Sequence, residues 1–350
     1  MSAASETTQT TPPPGPASRR APGAGGLSLV QRFLTLREGS IVVVTALTIV
    51  YFAATTPHFF TASNFKNLLP YFCFLAIMAA GQVFVMTLGE IDLSIGALYL
   101  ITPFAYWKFT EAGLPLVLSL VLSLVFAGLI GAINGFFIAW VGIPSFVATL
   151  AMLFSLDGLA LILSHSEQIT TPGTSVVGVN TFAQVFGAGT YSELFWAVGL
   201  AILLQIVLTL SRWGLYTVAV GGNRIGAAES GIHTRGILLR NFILCAMTAG
   251  FAGLLEGIRT SSITPDPSGS NQFLLYAVAA VIIGGTLMTG GEGTVLGALL
   301  GALFIGVLED GLTLKSVPST YLYLWLGIAV IIAMTINRLL RRVRLGSGRA

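Results

Sequence analysis

Charge is what this sequence has least of. Only 9% of its 350 residues are Asp, Glu, Lys or Arg, against about 25% in an ordinary soluble domain, so a water-facing surface over the whole chain is excluded. Cysteine is nearly absent as well. Cys73 and Cys245 both fall in apolar stretches, which gives a disulfide framework no support. The three histidines, His58, His165 and His233, lie far apart without metal-ligand spacing. No Ser/His pair, H-E-x-x-H or paired acidic motif occurs at useful spacing, so no catalytic, metal or cofactor residue is assigned and no cofactor is expected. A phosphate-binding loop is missing too. Its nearest approach, GGTLMTGGEGTVLG from Gly284 to Gly297, has Gly285 and Gly290 but then Gly291 and Glu292 where the motif needs Lys and Ser or Thr. A carboxylate at that point repels a triphosphate.

Long uncharged runs are abundant. Hydrophobic residues make up 55% of the chain, and runs able to cross roughly 30 Å of hydrocarbon recur along it. The fold class is an all-α, polytopic helical membrane protein with about ten transmembrane spans, some short or broken. Breaks at charges, Pro and Gly place them near 40–57, 68–88, 95–107, 115–140, 144–164, 193–211, 240–258, 273–288, 294–310 and 321–337. Residues 1–38, rich in Pro, Ala, Ser and Thr, read as a disordered cytoplasmic tail. Residues 39–338 form the transmembrane domain, and 339–350 a basic cytoplasmic tail. Of the 17 basic residues, 13 are arginines in segments 1–38, 212–240 and 338–350, while Lys66, Lys108, Arg259 and Lys315 fall on the other side. The positive-inside rule then puts both termini in the cytoplasm, the 212–240 loop inside and the 165–192 loop outside. The net charge of +3 reports this topology, and no nucleic-acid partner is expected; membrane lipid is.

Short spans 95–107 and 294–310 each follow a glycine-bearing break that carries a carboxylate, TLGEIDLSIG with Glu90 and Asp92, and TGGEGTVLG with Glu292. Interrupted segments of this kind point to a transport pathway or hinge, to which Glu90, Asp92, Asn134, Gly290, Gly291 and Gly293 are assigned. Small residues every fourth position, Ala127-Gly131-Gly135 and Gly293-Gly297-Gly301, are expected to let helices pack closely. The stretch RWGLYTVAVGGNRIGAAESGIHTRGILLRN reads as a loop with a turn at Gly221-Gly222-Asn223 and a short helix from Arg224 to Ser230 closed by Gly231.

Five blocks in order carry a family likeness: PHFFTASNFKNLL, GEIDLSIG, GAINGFFIAWVGIPSFVATL, VAVGGNRIGAAESGI and AVAAVIIGGTLMTGGEGTVLGALLGALFIGVLEDGL. Over about residues 40–338 the chain resembles the membrane permease subunit of bacterial ABC importers for monosaccharides, the ribose-type sugar permeases. The resemblance implies ATP-driven uptake, with partners in a cytoplasmic ABC ATPase subunit, a periplasmic or extracellular sugar-binding protein and a second permease copy, in the bacterial inner membrane. It also implies that Gly222, Asn223, Arg224, Ala227, Ala228, Glu229, Ser230 and Gly231 form the coupling helix seated on the ATPase, with Ala227, Ala228 and Glu229 on the contact surface. The family tends to carry Arg before the glycine at Asp157-Gly158 and an acidic pair where this chain has Leu274 and Tyr276. Alternative cargoes within the same architecture are a polyol, a nucleoside or a branched-chain amino acid. An ion-coupled secondary transporter is the other class, with Glu90, Asp92, Asp157, Glu256, Glu309 and Asp310 as its carboxylates. The chain alone is expected neither to bind nor to hydrolyse ATP. Turnover by the purified subunit, free of any ATPase, would overturn that.

Overall fold

The computed structural model describes residues 39–171, 180–189, 191–318 and most of those from 321 to 335. The two tails, and part of the 165–192 loop and of the tenth span, lie outside the described residues. Nine long helices are described: α1 (Gly39–Thr55), α2 (Ala62–Thr87), α3 (Ile95–Glu111), α4 (Leu116–Phe136), α5 (Ser145–Ser164), α7 (Ser192–Leu210), α10 (Thr234–Thr260), α11 (Pro267–Ile283) and α12 (Val295–Leu314). Between them lie the short helices α6 (Asn180–Ala183), α8 (Arg212–Gly222) and α9 (Arg224–Glu229). Helical residues recur between 321 and 335, within the tenth expected span. Six of these helices are long and apolar enough to cross a membrane, and shorter apolar helices accompany them. The last residues of two spans differ from expectation. The span expected to be short at 294–310 is a full 20-residue helix, α12, and α3 runs on to Glu111.

α2 and α10 are the axis of the bundle. α2 begins at Thr61, whose hydroxyl accepts from the Asn64 amide at 3.2 Å, and every residue from Phe72 to Leu88 is buried. A helix that is apolar and covered on all sides has to sit inside others. α10 packs beside it and takes α4 on its other flank. The faces of α4 are opposite in kind. Val117, Val121, Val125, Leu129 and Ile133 repeat every four residues and are exposed, a lipid-facing stripe. Ala127, Gly131 and Gly135 repeat on the other side and meet α10: a methyl at Gly131 would stand 2.5 Å from the Phe242 carbonyl oxygen and 2.6 Å from Ala246 Cβ. On α12, methyls at Gly297 and Gly301 would run into the carbonyl oxygens of Gly284 and Ala280 on α11. Both small-residue stripes are therefore lines of backbone contact.

Among the described residues strands are confined to one two-residue pair, β1 (Ile169–Thr170) antiparallel to β2 (Ser262–Ile263), with Ile169 opposite Ile263 and Thr170 opposite Ser262. It closes one end of the bundle, the sheet end, where the Thr171 hydroxyl donates to the Gly257 carbonyl. The breaks at 88–94, 142–144, 211–233 and 284–294 gather at the opposite end, with α9. Replacing Gly131 with Leu should separate α4 from α10 and destabilise the fold by about 1–3 kcal/mol. Leu129→Ala, on the exposed face, should leave the melting temperature in detergent nearly unchanged; equal losses from both would refute the two-faced reading of α4.

Candidate functional site

The α9 end is built by caps and by one buried asparagine. Ser211 starts α8 by accepting from the Gly214 amide at 3.1 Å, and Trp213 Nε1 donates to Asn241 Oδ1 on α10 at 2.6 Å. Asn241 Nδ2 donates in turn to the Phe84 carbonyl of α2 at 3.0 Å and to Thr217 Oγ1 at 3.1 Å. One amide thus ties α2, α8 and α10 together. Gly221 and Gly222, expected as a turn, are the last residues of α8. No apolar stripe marks this helix in the sequence, because its buried face is only Gly214, Thr217 and Val220. Asn223 breaks the run with extended backbone and caps α9, accepting from the Gly226 amide at 2.9 Å. Gly231, at φ +82, ends α9, and the Ile232 amide returns to the Ala227 carbonyl at 3.0 Å, the usual left-handed stop. Ser230 Oγ donates to the Gly226 carbonyl at 2.8 Å.

Ala227 is buried, at 5% exposure, so it packs inward and does not belong to an outer contact face. Ala228 and Glu229 are exposed, and Ile225, which sequence reading passed over, is 74% exposed. An isoleucine projecting from a short polar-flanked helix is the signal that could have found it.

α9 is joined to both glycine-bearing breaks. Arg224 Nη1 stands 3.2 Å from Glu90 Oε1, linking the helix to the GEIDLS segment. The Gly291 amide donates to the Thr87 carbonyl at 2.8 Å, linking that segment to the 284–294 turn. A methyl on Gly221 would run into this same Thr87 carbonyl and stand 2.8 Å from the Gly291 amide. A methyl on Gly290, whose φ is +80, would lie 2.8 Å from both the Gly221 carbonyl oxygen and the Gly89 amide. Three chain breaks therefore meet backbone to backbone, at a spacing only glycine allows. Gly222 faces Gly291 in the same knot, and a methyl at Gly293 would strike the Thr87 hydroxyl. Of the residues assigned to pathway or hinge, Glu90, Gly290, Gly291 and Gly293 are gathered here with Gly222 and Arg224.

Asp92 and Asn134 lie deeper and form a second group. Asp92 Oδ1 accepts from the Ser94 amide at 2.9 Å and the Ser94 hydroxyl at 2.6 Å, and Asn134 Nδ2 donates to that hydroxyl at 2.9 Å. Asp92 Oδ2 and Asn134 Oδ1 are buried without a hydrogen-bond partner. Burial pushes the Asp92 carboxyl up to about 6, against the Ser94 bonds that favour its charged form. This group fixes the entry into α3. Among the described residues no three His, Cys, Asp or Glu side chains stand together in reach of one metal ion.

Membrane-length helices, with an exposed short helix tied to the breaks that precede α3 and α12, make this a polytopic membrane protein. The chain belongs to the family described as branched-chain amino acid transport system / permease component, whose model matches residues 64–335. It is 30% identical to the ribose import permease protein of Escherichia coli over 310 residues, covering 86% of this chain and 94% of that protein. To the xylose/arabinose import permease protein of Sulfolobus acidocaldarius it is 30% identical over 331 residues, 90% of this chain and 88% of the relative. The L-arabinose ABC transporter permease protein of Azospirillum brasilense is 29% identical over 349 residues, 98% of each chain. No solved structure gives a significant match.

The knot makes a sharp expectation. Gly221→Ala should impair transport strongly, while Arg224→Gln, which removes only a half-exposed ion pair worth under about 1 kcal/mol, should impair it less. Uptake in cells at matched abundance is the measurement, and an inactive Arg224→Gln beside an active Gly221→Ala would reverse the ranking of the two contacts.

Proposed function

We propose that this chain is the membrane subunit of an ABC importer for monosaccharides, lying in the bacterial cytoplasmic membrane with the α9 end inside and the sheet end outside. It works with a separate ATPase, an extracytoplasmic sugar-binding protein and a second permease copy. The observation that carries this reading is the mounting of α9. An exposed helix of six residues has no stability of its own, yet it is capped at Asn223, stopped at Gly231 and fastened through Gly221 and Arg224 to the ends of α2 and to the turn before α12. Push on it and two interrupted spans are pushed with it. That suits a part that receives a stroke from a partner, and Ile225, Ala228 and Glu229 are the face it offers.

The sugar cargo is supported by the relatives, named for ribose, xylose/arabinose and L-arabinose. The family description favours the second reading, a branched-chain amino acid. Uptake of radiolabelled aldoses and of leucine by the reconstituted importer separates the two.

Bulk and charge at the docking face should uncouple the complex. For Ala228→Arg an overpacking cost of about 1–3 kcal/mol corresponds to roughly 5- to 150-fold weaker association, so uptake should collapse and ATPase should co-purify poorly. Gln168→Arg, exposed at the sheet end, should transport normally. Equal transport by both variants at equal expression would show that α9 is not the coupling element. Two positions report orientation: a thiol from Ser230→Cys should be shielded from an impermeant reagent in intact cells, and one from Gln168→Cys should react.

A further inference from the structure

The geometry points to a binding site for one neutral aldose in the chamber between α2, α3, α10, α11 and α12 at the sheet end. This rests on the sugar reading above and adds to it a place and a recognition chemistry. The chamber has a volume of ≈ 440 Å³, within the range of about 300–1,000 Å³ that holds small ligands. Its walls run from Asn64 to Phe74 along α2, ten residues or about 15 Å of helix, so it reaches well into the bundle from the outer rim.

Its inner cation is already paired. Arg259 Nε and Nη2 donate to the two oxygens of Glu256 at 2.7 and 2.9 Å, and Glu193 Oε1 lies 3.6 Å from Nε. Asp310 Oδ2 accepts from Asn64 Nδ2 at 2.8 Å. With Lys66 exposed at the rim, the lining charges of Lys66, Arg259, Glu256 and Asp310 sum to zero. An amino acid brings a carboxylate and an ammonium that would compete for the Arg259–Glu256 pair, and breaking a partly buried pair is costly. A sugar asks for less. Its hydroxyls both donate and accept, and the carboxylate oxygens keep spare lone pairs while the guanidinium keeps spare hydrogens, so a polyol adds to the network without dismantling it.

The chamber also has an aromatic wall. The Phe273 and Tyr99 rings lie 5.1 Å apart at 39°, with Phe273 partly exposed. A ring face of this kind covers the C–H side of a pyranose or furanose while the paired ions take its hydroxyl edge. Charged acceptors opposite an aromatic face, with the inner guanidinium already paired, suit a neutral, polyhydroxylated, one-sidedly apolar ligand.

Substrate protection of a single thiol tests this in the assembled importer, held in nanodiscs without binding protein or ATP. Asn67→Cys puts a thiol on the chamber wall, and the native Cys73 and Cys245 are fully buried and give little background. Ribose, xylose, arabinose and allose, each at millimolar concentration, are compared with leucine for their effect on labelling by an impermeant maleimide. The aldose that the importer transports should slow labelling by about threefold or more, as expected at twice its dissociation constant, and should leave Glu167→Cys, exposed outside the chamber, unaffected. Adding Phe273→Leu should abolish protection while the labelling rate without sugar stays the same, which shows the chamber is still folded. A transported aldose that gives no protection, or protection that survives Phe273→Leu, overturns the site and leaves the sugar-importer reading standing. Protection by leucine, with leucine transported and no aldose taken up, overturns both.

Discussion

One hydrogen bond, from the Gly291 amide to the Thr87 carbonyl at 2.8 Å, holds the α9 end together. It joins the end of α2 to the turn before α12, and the last residues of α8 press on it from outside, since even a methyl at Gly221 would occupy its space. An ion pair could link the same segments with less demand on sequence. It would also let them slide, because long side chains exchange partners cheaply at an exposed surface. Backbone contacts have no such slack. The Arg224–Glu90 pair adds a tether, while the glycines set the geometry.

The same device recurs through the membrane. Gly297 and Gly301 of α12 lie on the backbone of α11, Gly253 of α10 lies on the Tyr99 carbonyl of α3, and Gly131 of α4 lies on α10. In lipid the hydrophobic effect does little to hold one helix to another, so close backbone packing and buried polar bonds carry the association. Asn241, buried in α10 and bonded to Phe84, Thr217 and Trp213, is the clearest of those bonds. Gly131, Gly253, Gly297 and Gly301 in the spans, and Gly221, Gly290 and Gly291 at the α9 end, are therefore construction material.

Much of this was legible in the residues. Low charge and recurring apolar runs gave the helical class, and the small-residue stripes marked real contacts, because period and size survive without knowledge of the partner. The breaks at Glu90 and Glu292 were visible as interruptions. Their meeting was not, since nothing in the string GEIDLS says that Arg224, 134 residues on, will be its partner. α8 was read as loop because its inward face is Gly214, Thr217 and Val220, too small and mixed for an apolar stripe. Ala227 was placed on the docking face and Ile225 overlooked for a related reason: in six residues a helix has no periodicity to show which side faces out. Glu256 was read only as a candidate ion-coupling carboxylate and Arg259 only as an outer basic residue, Asn64 was not singled out, and their convergence needed the three-dimensional packing of five helices.

Between the knot at one end and the chamber at the other run α2 and α10, the two most enclosed helices. Gly81 of α2 is set against Cys245 and Thr248 of α10, closely enough that a methyl there would clash, and Cys245 donates to Gln82 Oε1 at 3.1 Å. Helices in such contact cannot bend past one another gradually, because a packed interior resists compression and shifts between discrete arrangements. A displacement delivered to α9 reaches Thr87 through Gly221, and Thr87 is the last residue of the helix whose other end carries Asn64, Tyr71 and Phe74 into the chamber. α10 leaves the same end at Thr234 and carries Glu256 and Arg259 to the same place. α2, which ends at the knot, and α10, which starts at the same end of the bundle, thus contribute the chamber's ion pair and much of its polar lining. A displacement of either helix at one end would shift its chamber residues at the other, with no relay of side-chain rearrangements needed between them.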